Sequence, residues 1–306
     1  MAARSLHDAG HEVLVIDKGR GVGGRMATRR ITTPDGTTAV FDHGAQFFTV
    51  RDEEMARLVT QWTNTGVVRE WCRGFAGDDG HPRYVVNGGM AALAKHLSSG
   101  LAVRTSTLVF AVRPGDKGHR WTVVIDDAST IECDAVIVTC PLPQSYSLTI
   151  TTGLELPREL LTTDYDRTIA LLAVVDRPDV IPAPGGLQNP DHVFSWIGDN
   201  VAKGVSSVPA ITFHANPAWS LEHWDDSRDD GLAAITTQAQ RWLGDAHIVA
   251  CDYKKWRFAT PQKVWPDRCY GNDGIVFAGD VFSGPKVESA VLSGIAAARR
   301  VLDSAH

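Results

Sequence analysis

The sequence predicts an α/β fold: a Rossmann-like layer of parallel strands that carries a three-stranded meander, joined to an antiparallel α+β part. Three observations point there. Residues 11–16 form an apolar, β-branched run, the pattern of a buried parallel strand, that ends on the carboxylate of Asp17 and then breaks into Gly21, Gly23 and Gly24. Residues 135–139 (AVIVT) and 274–280 (GIVFAGD) are continuously apolar, the pattern of strands covered on both faces. The third sign lies just ahead of residues 135–139. Residues 107–112, 121–126 and 130–133 alternate and are joined by the turn-rich PGDKGH and DDAS, as in an antiparallel meander.

Residues 1–9 read as a helix, with Ala2, Ala3, Leu6 and Ala9 at helical spacing and Gly10 suited to the left-handed position past its end. A strand that delivers a carboxylate after such a helix is the second strand of a dinucleotide-binding unit, where Asp17 would accept hydrogen bonds from the adenosine ribose. That unit needs a first strand and a G-x-G-x-x-G turn ahead of the helix, because the turn lets a pyrophosphate reach the helix N-terminus. The sequence opens inside the helix, so the reading expects this portion upstream of Met1, and expects a chain without it to hold a dinucleotide poorly.

Residues 51–70 read as a helix with Met55, Leu58, Val59 and Trp62 on one face, followed by strands at 67–71 and 83–86. Asn87 is placed to cap a helix that runs through Ala91, Leu93, Ala94 and Leu97 to Gly100. Residues 101–105 supply the third parallel strand. From about 143 to 262 the texture changes: strands at 169–175 and 210–215, a Pro/Gly-rich loop at 178–190, and an amphipathic helix at 230–243. Trp196, Phe213, Trp219, Trp224 and Trp242 fall here and are expected to be mainly core. Residues 253–261 (YKKWRFATP) stack Lys254, Lys255, Trp256 and Arg257 together and depart from a simple strand. Residues 283–302 carry a helix that starts near Val287, in which Gly294, Ala296 and Ala297 permit close packing.

Composition narrows the function classes. At 306 residues the chain can form one or two domains, and a formal net charge of −6 gives no global basic field for nucleic acid or an anionic membrane. No apolar run approaches the roughly 20 residues that span a bilayer, and no signal-peptide layout is present. The five cysteines are scattered, without a C-x-x-C pair, which fits a reducing cytoplasm; Cys269 reads as structural. The histidines show no metal-ligand spacing, so no metal is expected.

Placed after a strand-end carboxylate, GVGGRM at 21–26 resembles the second FAD motif of the flavin amine oxidase superfamily. GRMATRR at 24–30, FDHGAQFFTVRD at 41–52, NGGM at 87–90 and YKKWRFATP at 253–261 look like renalase and its bacterial relatives over nearly the whole chain. GIVFAGD with the helix after it resembles the third FAD motif. The resemblance implies an FAD-binding domain from residues 1–50, 86–142 and 263–306, and a substrate domain from 51–85 and 143–262. It implies FAD contacts at Asp17, Lys18, Gly24, Arg25, Met26, His43, Gly44, Ala45, Gln46, Val109, Gly279, Asp280, Lys286, Val287 and Glu288. Within that set Arg25 would neutralise phosphate, a task for a permanently charged fork. Val109 would offer its backbone to adenine and Asp280 would meet a ribityl hydroxyl, or the pyrophosphate through water. The helix N-terminus at Lys286 to Glu288 would face the flavin's pyrimidine edge. Trp256 is the candidate substrate wall, against the equally weighted alternative of a tryptophan bridging two domains.

A renalase-like activity would take hydride from NAD(P)H isomers reduced at the wrong ring carbon and deliver it through flavin to O2, giving NAD(P)+ and H2O2. The alternatives are an FAD-dependent amine oxidase or desaturase, which shares all three motifs, and a non-catalytic protein that has lost FAD.

Overall fold

The computed structural model describes residues 1–116 and 118–304. In chain order the elements are α1 (Ala2–Asp8), β1 (Leu14–Ile16), β2 (Thr28–Thr32), β3 (Thr38–Asp42), α2 (Glu53–Asn64), β4 (Val68–Cys72), β5 (Arg83–Val86), α3 (Ala91–Ser98) and β6 (Ala102–Arg104). The meander follows as β7 (Val109–Pro114), β8 (Trp121–Ile125) and β9 (Thr130–Cys133), then β10 (Val136–Val138), α4 (Leu142–Thr149) and α5 (Arg158–Leu161). The chain continues through β11 (Tyr165–Val175), β12 (Gly186–Gln188), β13 (Phe194–Asp199), β14 (Ala210–Ala215), α6 (Pro217–Glu222), α7 (Arg228–Leu243) and β15 (Ile248–Pro261). It ends with β16 (Tyr270–Asn272), β17 (Ile275–Phe277) and α8 (Val287–Asp303). Lys117, in the expected turn between the first two meander strands, lies outside the described residues.

Two compact units emerge. The first takes Met1–Gly24, Lys95–Tyr165 and Pro261–His306; the second takes Arg25–Ala94 and Asp166–Thr260.

In the first unit β1 pairs in parallel with β6, and β10 with β17, while β16 joins β17 antiparallel and β7, β8 and β9 form the expected meander. The α1 helix closes as its glycine requires: Gly10 has φ +89° and the amides of Gly10 and His11 return to the carbonyls of His7 and Leu6. One expectation is corrected here. The run at 11–16 is a three-residue strand, half-buried rather than buried. Its register is set by β6, whose Ala102 and Arg104 are exposed, and the polar His11 and Glu12 stay outside the ladder. At Gly294 of α8 a Cβ would come within 3.0 Å of the Ala2 nitrogen, so the glycine is what lets α8 approach α1. Cys269 is buried with Val276, Ala278 and Ala297, a packing role as expected.

In the second unit the strand order β12-β13-β14-β11-β15 makes a five-stranded antiparallel sheet. The apolar run of β11 serves both faces. Ile169, Leu171, Ala173 and Val175 pack with Phe213 and with Ile235, Ala239 and Leu243 of α7, whereas Leu172 and Val174 pack with Ala39 and Phe41 of β3. Burying each such side chain contributes roughly 1.5–3 kcal/mol, which is why the run carries no polar residue. Trp196, Phe213 and Trp219 are buried, and Trp224 and Trp242 pack against this core, as expected.

Three local expectations in this unit are corrected. The loop expected at 178–190 contains β12, because Gly186 and Gly198 pair across β12 and β13 and leave room for the Trp196 and Phe75 rings. Residues 253–261 continue one 14-residue strand, in which consecutive cations point to alternate faces. Asn87 does not cap α3: its side chain donates to the Gly66 carbonyl and accepts from Arg69. The amides of Met90 and Ala91 instead donate to Asp42 Oδ1 and Thr28 Oγ1. Among the described residues no helix is long and apolar enough to cross a membrane.

Candidate cofactor and substrate site

In the first unit the sequence-chosen residues cluster in two places. Asp17 sits at the tip of β1; its Oδ1 accepts from the Gly19 amide at 2.7 Å and its carbonyl accepts from Thr107, two residues before Val109. The backbone of Asp17 is thus tied to the approach to β7, while its carboxylate closes on Gly19. Lys18 is exposed beside it. Gly24 has φ +51° with nothing within 4 Å of where a Cβ would stand. At the other place, Gly279 follows β17 with φ +136° and its amide donates to Ser293 Oγ of α8 at 2.9 Å. Asp280 comes next and is half-buried. The α8 helix begins past Lys286, and no side chain caps its N-terminus. Val287 and Glu288 form its first turn, with Glu288 buried, and the N-terminal end of a 17-residue helix favours a negatively charged partner.

In the second unit Arg25, Met26, His43, Gly44, Ala45 and Gln46 come together. The Ala45 amide donates to the Arg25 carbonyl at 2.8 Å, and a Cβ on Gly44 would stand 1.9 Å from that same oxygen. Only glycine allows this approach. Arg25 donates to the Ala259 carbonyl at 3.2 Å, so β15 fixes its guanidinium. The successive carbonyls of this segment point inward: that of Asp42 accepts from Gln46 Nε2 and Thr212 Oγ1, that of His43 from Trp256 Nε1 and His214 Nε2, and that of Gly44 from Gln46 Nε2. Among the described residues the amides of Gly44, Gln46 and Phe47 have no partner.

Trp256 is stacked on His43, with ring centroids 5.2 Å apart and planes at 26°. Burial pushes the His43 imidazole down to about 4; Lys254 and Arg29 add to the shift, and Asp42 and Asp252 oppose it. His214 is also pushed down to about 4 by burial, so both rings are neutral at pH 7. His43 Nδ1 is buried without a partner among the described residues. A basic group flanks this pair. Arg29 Nε and Lys254 Nζ lie 3.1 and 3.5 Å from Asp252 Oδ2, and Arg228 lies 2.9 Å from Oδ1. Burial raises the Asp252 carboxyl, but the Arg228 hydrogen bond and the nearby cations hold it below the usual range. Three cations share one carboxylate, so the field beside His43 and Trp256 is positive.

Sequence reasoning missed the support beneath this segment. Lys203 is completely buried and donates to Asp42 Oδ2 at 3.0 Å and Gln46 Oε1 at 3.2 Å. Asp42 was within a quoted motif, but Lys203 stands 161 residues away in a run with no pattern of its own. Among the described residues no group of three or more His, Cys, Asp or Glu side chains could hold a metal ion.

These features fit FAD as separate pieces: a strand-end carboxylate, open glycine positions, the N-terminus of a long helix, and a glycine-tightened segment. The comparisons agree. Residues 68–302 match the model of the flavin containing amine oxidoreductase family, and residues 1–62 match that of an NAD(P)-binding Rossmann-like domain. Mouse (Mus musculus) renalase is 25% identical over 272 residues, covering 82% of this chain and 78% of that protein. Among solved structures, cyclohexylamine oxidase from Brevibacterium oxydans superposes with a TM-score of 0.71 at 12% identity, covering 99% of this chain and 96% of that one. An oxidoreductase from Methanosarcina mazei gives 0.66 at 12% identity, with 96% of each chain covered. A putrescine oxidase gives 0.65 at 16% identity, with 99% and 96% covered. The chain belongs to the flavin-containing amine oxidoreductase family and is an FAD-dependent oxidoreductase of renalase-like type.

Proposed function

We propose that this enzyme oxidises NAD(P)H isomers reduced at the 2- or 6-position of the nicotinamide ring, with O2 as the final acceptor. The observation that carries the reading is the neutral His43–Trp256 stack flanked by a surplus of positive charge. A flat, apolar, uncharged wall suits a dihydropyridine ring. Positive charge beside it suits an anionic dinucleotide and disfavours an ammonium ion. The likeness to mouse renalase supports the same direction.

FAD, when bound, supplies the two-electron acceptor and the route of those electrons to O2. The residues of this chain orient the ring and keep water away; no side chain has to remove a proton, because loss of hydride alone turns the dihydropyridine into the aromatic cation. In balance, the substrate loses a hydride equivalent, and O2 with one proton gains it as H2O2. Overall, NAD(P)H isomer, O2 and H+ give NAD(P)+ and H2O2. Arg25, with the amides of Gly44, Gln46 and Phe47, is one proposed set of FAD contacts; Asp17, Val109, Gly279, Asp280 and the α8 N-terminus are the other.

Product analysis in air tests this. One NAD(P)+ and one H2O2 per isomer consumed supports it. Aldehyde and ammonia from an amine, without turnover of the isomers, would assign the protein to amine oxidation instead.

A further inference from the structure

We infer that Lys203 is a positioning residue whose role is to hold the Asp42–Gln46 segment in the shape that receives FAD. The inference rests on the reading above that this segment contacts FAD.

Lys203 and Asp42 are both 0% exposed. Burial lowers the Lys203 ammonium from its ordinary value, and Asp42 pulls it back up. An ion pair in such a place gains little over well-packed apolar groups, because desolvation offsets the attraction. Stability alone therefore does not account for it, and its connections do. Asp42 Oδ1 takes Thr28 Oγ1 and the Met90 amide, which ties the start of β2 and the approach to α3 to one carboxylate. Asp42 Oδ2 accepts from Lys203 Nζ, which also donates to Gln46 Oε1. That second bond sets the Gln46 amide so that its nitrogen reaches back to the carbonyls of Asp42 and Gly44. Those bonds fix the carbonyls of Asp42 and Gly44, and with them the backbone of the Asp42–Gln46 segment. The side-chain bonds of Lys203 go to Asp42 and Gln46, so its influence on the segment passes through those two residues.

The paired variant Asp42→Asn/Lys203→Met removes both charges, keeps an oxygen for Met90 and Thr28, and leaves Gln46 without its anchor. Gln46→Leu is the second variant; it cuts the same link while the ion pair stays intact. Hydrogen exchange of peptides covering 43–48 is followed with and without FAD. In wild type, FAD should slow exchange there; if it does not, the segment is not at the FAD site and the underlying reading fails. In either variant the apo segment should exchange about tenfold faster than wild type while the β11 and β14 amides are unchanged, with a weakening of FAD binding of about tenfold. Wild-type exchange at 43–48 in both variants, with FAD still protecting the segment, would overturn the role of Lys203.

Discussion

The indole of Trp256 donates to the His43 carbonyl at 2.8 Å while lying stacked on the same residue's ring. One side chain thus fixes both the backbone and the face of His43. Trp256→Phe keeps an aromatic wall and removes the donor. A net hydrogen bond is worth roughly 0.5–1.5 kcal/mol, so kcat/KM for the dihydronicotinamide should fall about 3- to 10-fold in steady-state assays. An unchanged value would mean that the indole N–H has no part in orienting the site.

The two depressed imidazoles set a pH dependence of stability. Each is near 4 in the folded protein and near 6.5 when unfolded, so between those values the unfolded chain binds more protons. Stability therefore rises with pH across about 4 to 6.5 and is lost as pH falls through that window, by up to on the order of 3 kcal/mol per histidine. Urea unfolding at pH 5 and pH 7 checks this: the midpoint should be lower at pH 5, and His214→Phe should flatten the difference.

Gly44→Ala should abolish FAD retention, since its Cβ would stand 1.9 Å from the Arg25 carbonyl oxygen and force the segment apart. The ratio of flavin to protein absorbance after gel filtration reads this directly. A fully yellow variant would show that the Arg25–Gly44 approach is not needed for the cofactor.

Asp17→Ala and Asp280→Ala should each weaken FAD binding at least about tenfold, the loss of a charge-assisted hydrogen bond of about 1.5–3 kcal/mol. Titration of apoprotein followed by flavin fluorescence quenching gives the constants. Wild-type affinity in Asp280→Ala would remove that residue from the assignment.

What was legible in the sequence was what local pattern carries. The apolar run of β11, the meander, the Gly10 helix end and the start of α8 at Val287 were all read from periodicity and punctuation. Arg25 and Gly44 were chosen by motif, and they meet through a backbone contact that only a glycine permits. What escaped depends on partners distant in the chain. The α3 start draws on Asp42 and Thr28 rather than the adjacent Asn87, and Lys203 reaches Asp42 across 161 residues. The strand β12 hid in a Pro/Gly-rich stretch because its glycine serves the Trp196 ring, not a turn. No periodicity reports such relationships, since each is fixed by tertiary packing.

In the proposed reaction the neutral, positively flanked His43–Trp256 wall receives a misreduced nicotinamide ring. Anaerobic stopped-flow mixing of the FAD-loaded enzyme with 2- and 6-dihydro-NAD(P), ordinary NAD(P)H and a panel of primary amines tests it most directly, read as loss of the oxidised flavin band. Rapid bleaching by a 2- or 6-dihydro isomer, with NAD(P)H and amines slower by about 100-fold or more, is the predicted result, a discrimination of roughly 2.7 kcal/mol. Rapid bleaching by an amine while both isomers leave the flavin oxidised would contradict it.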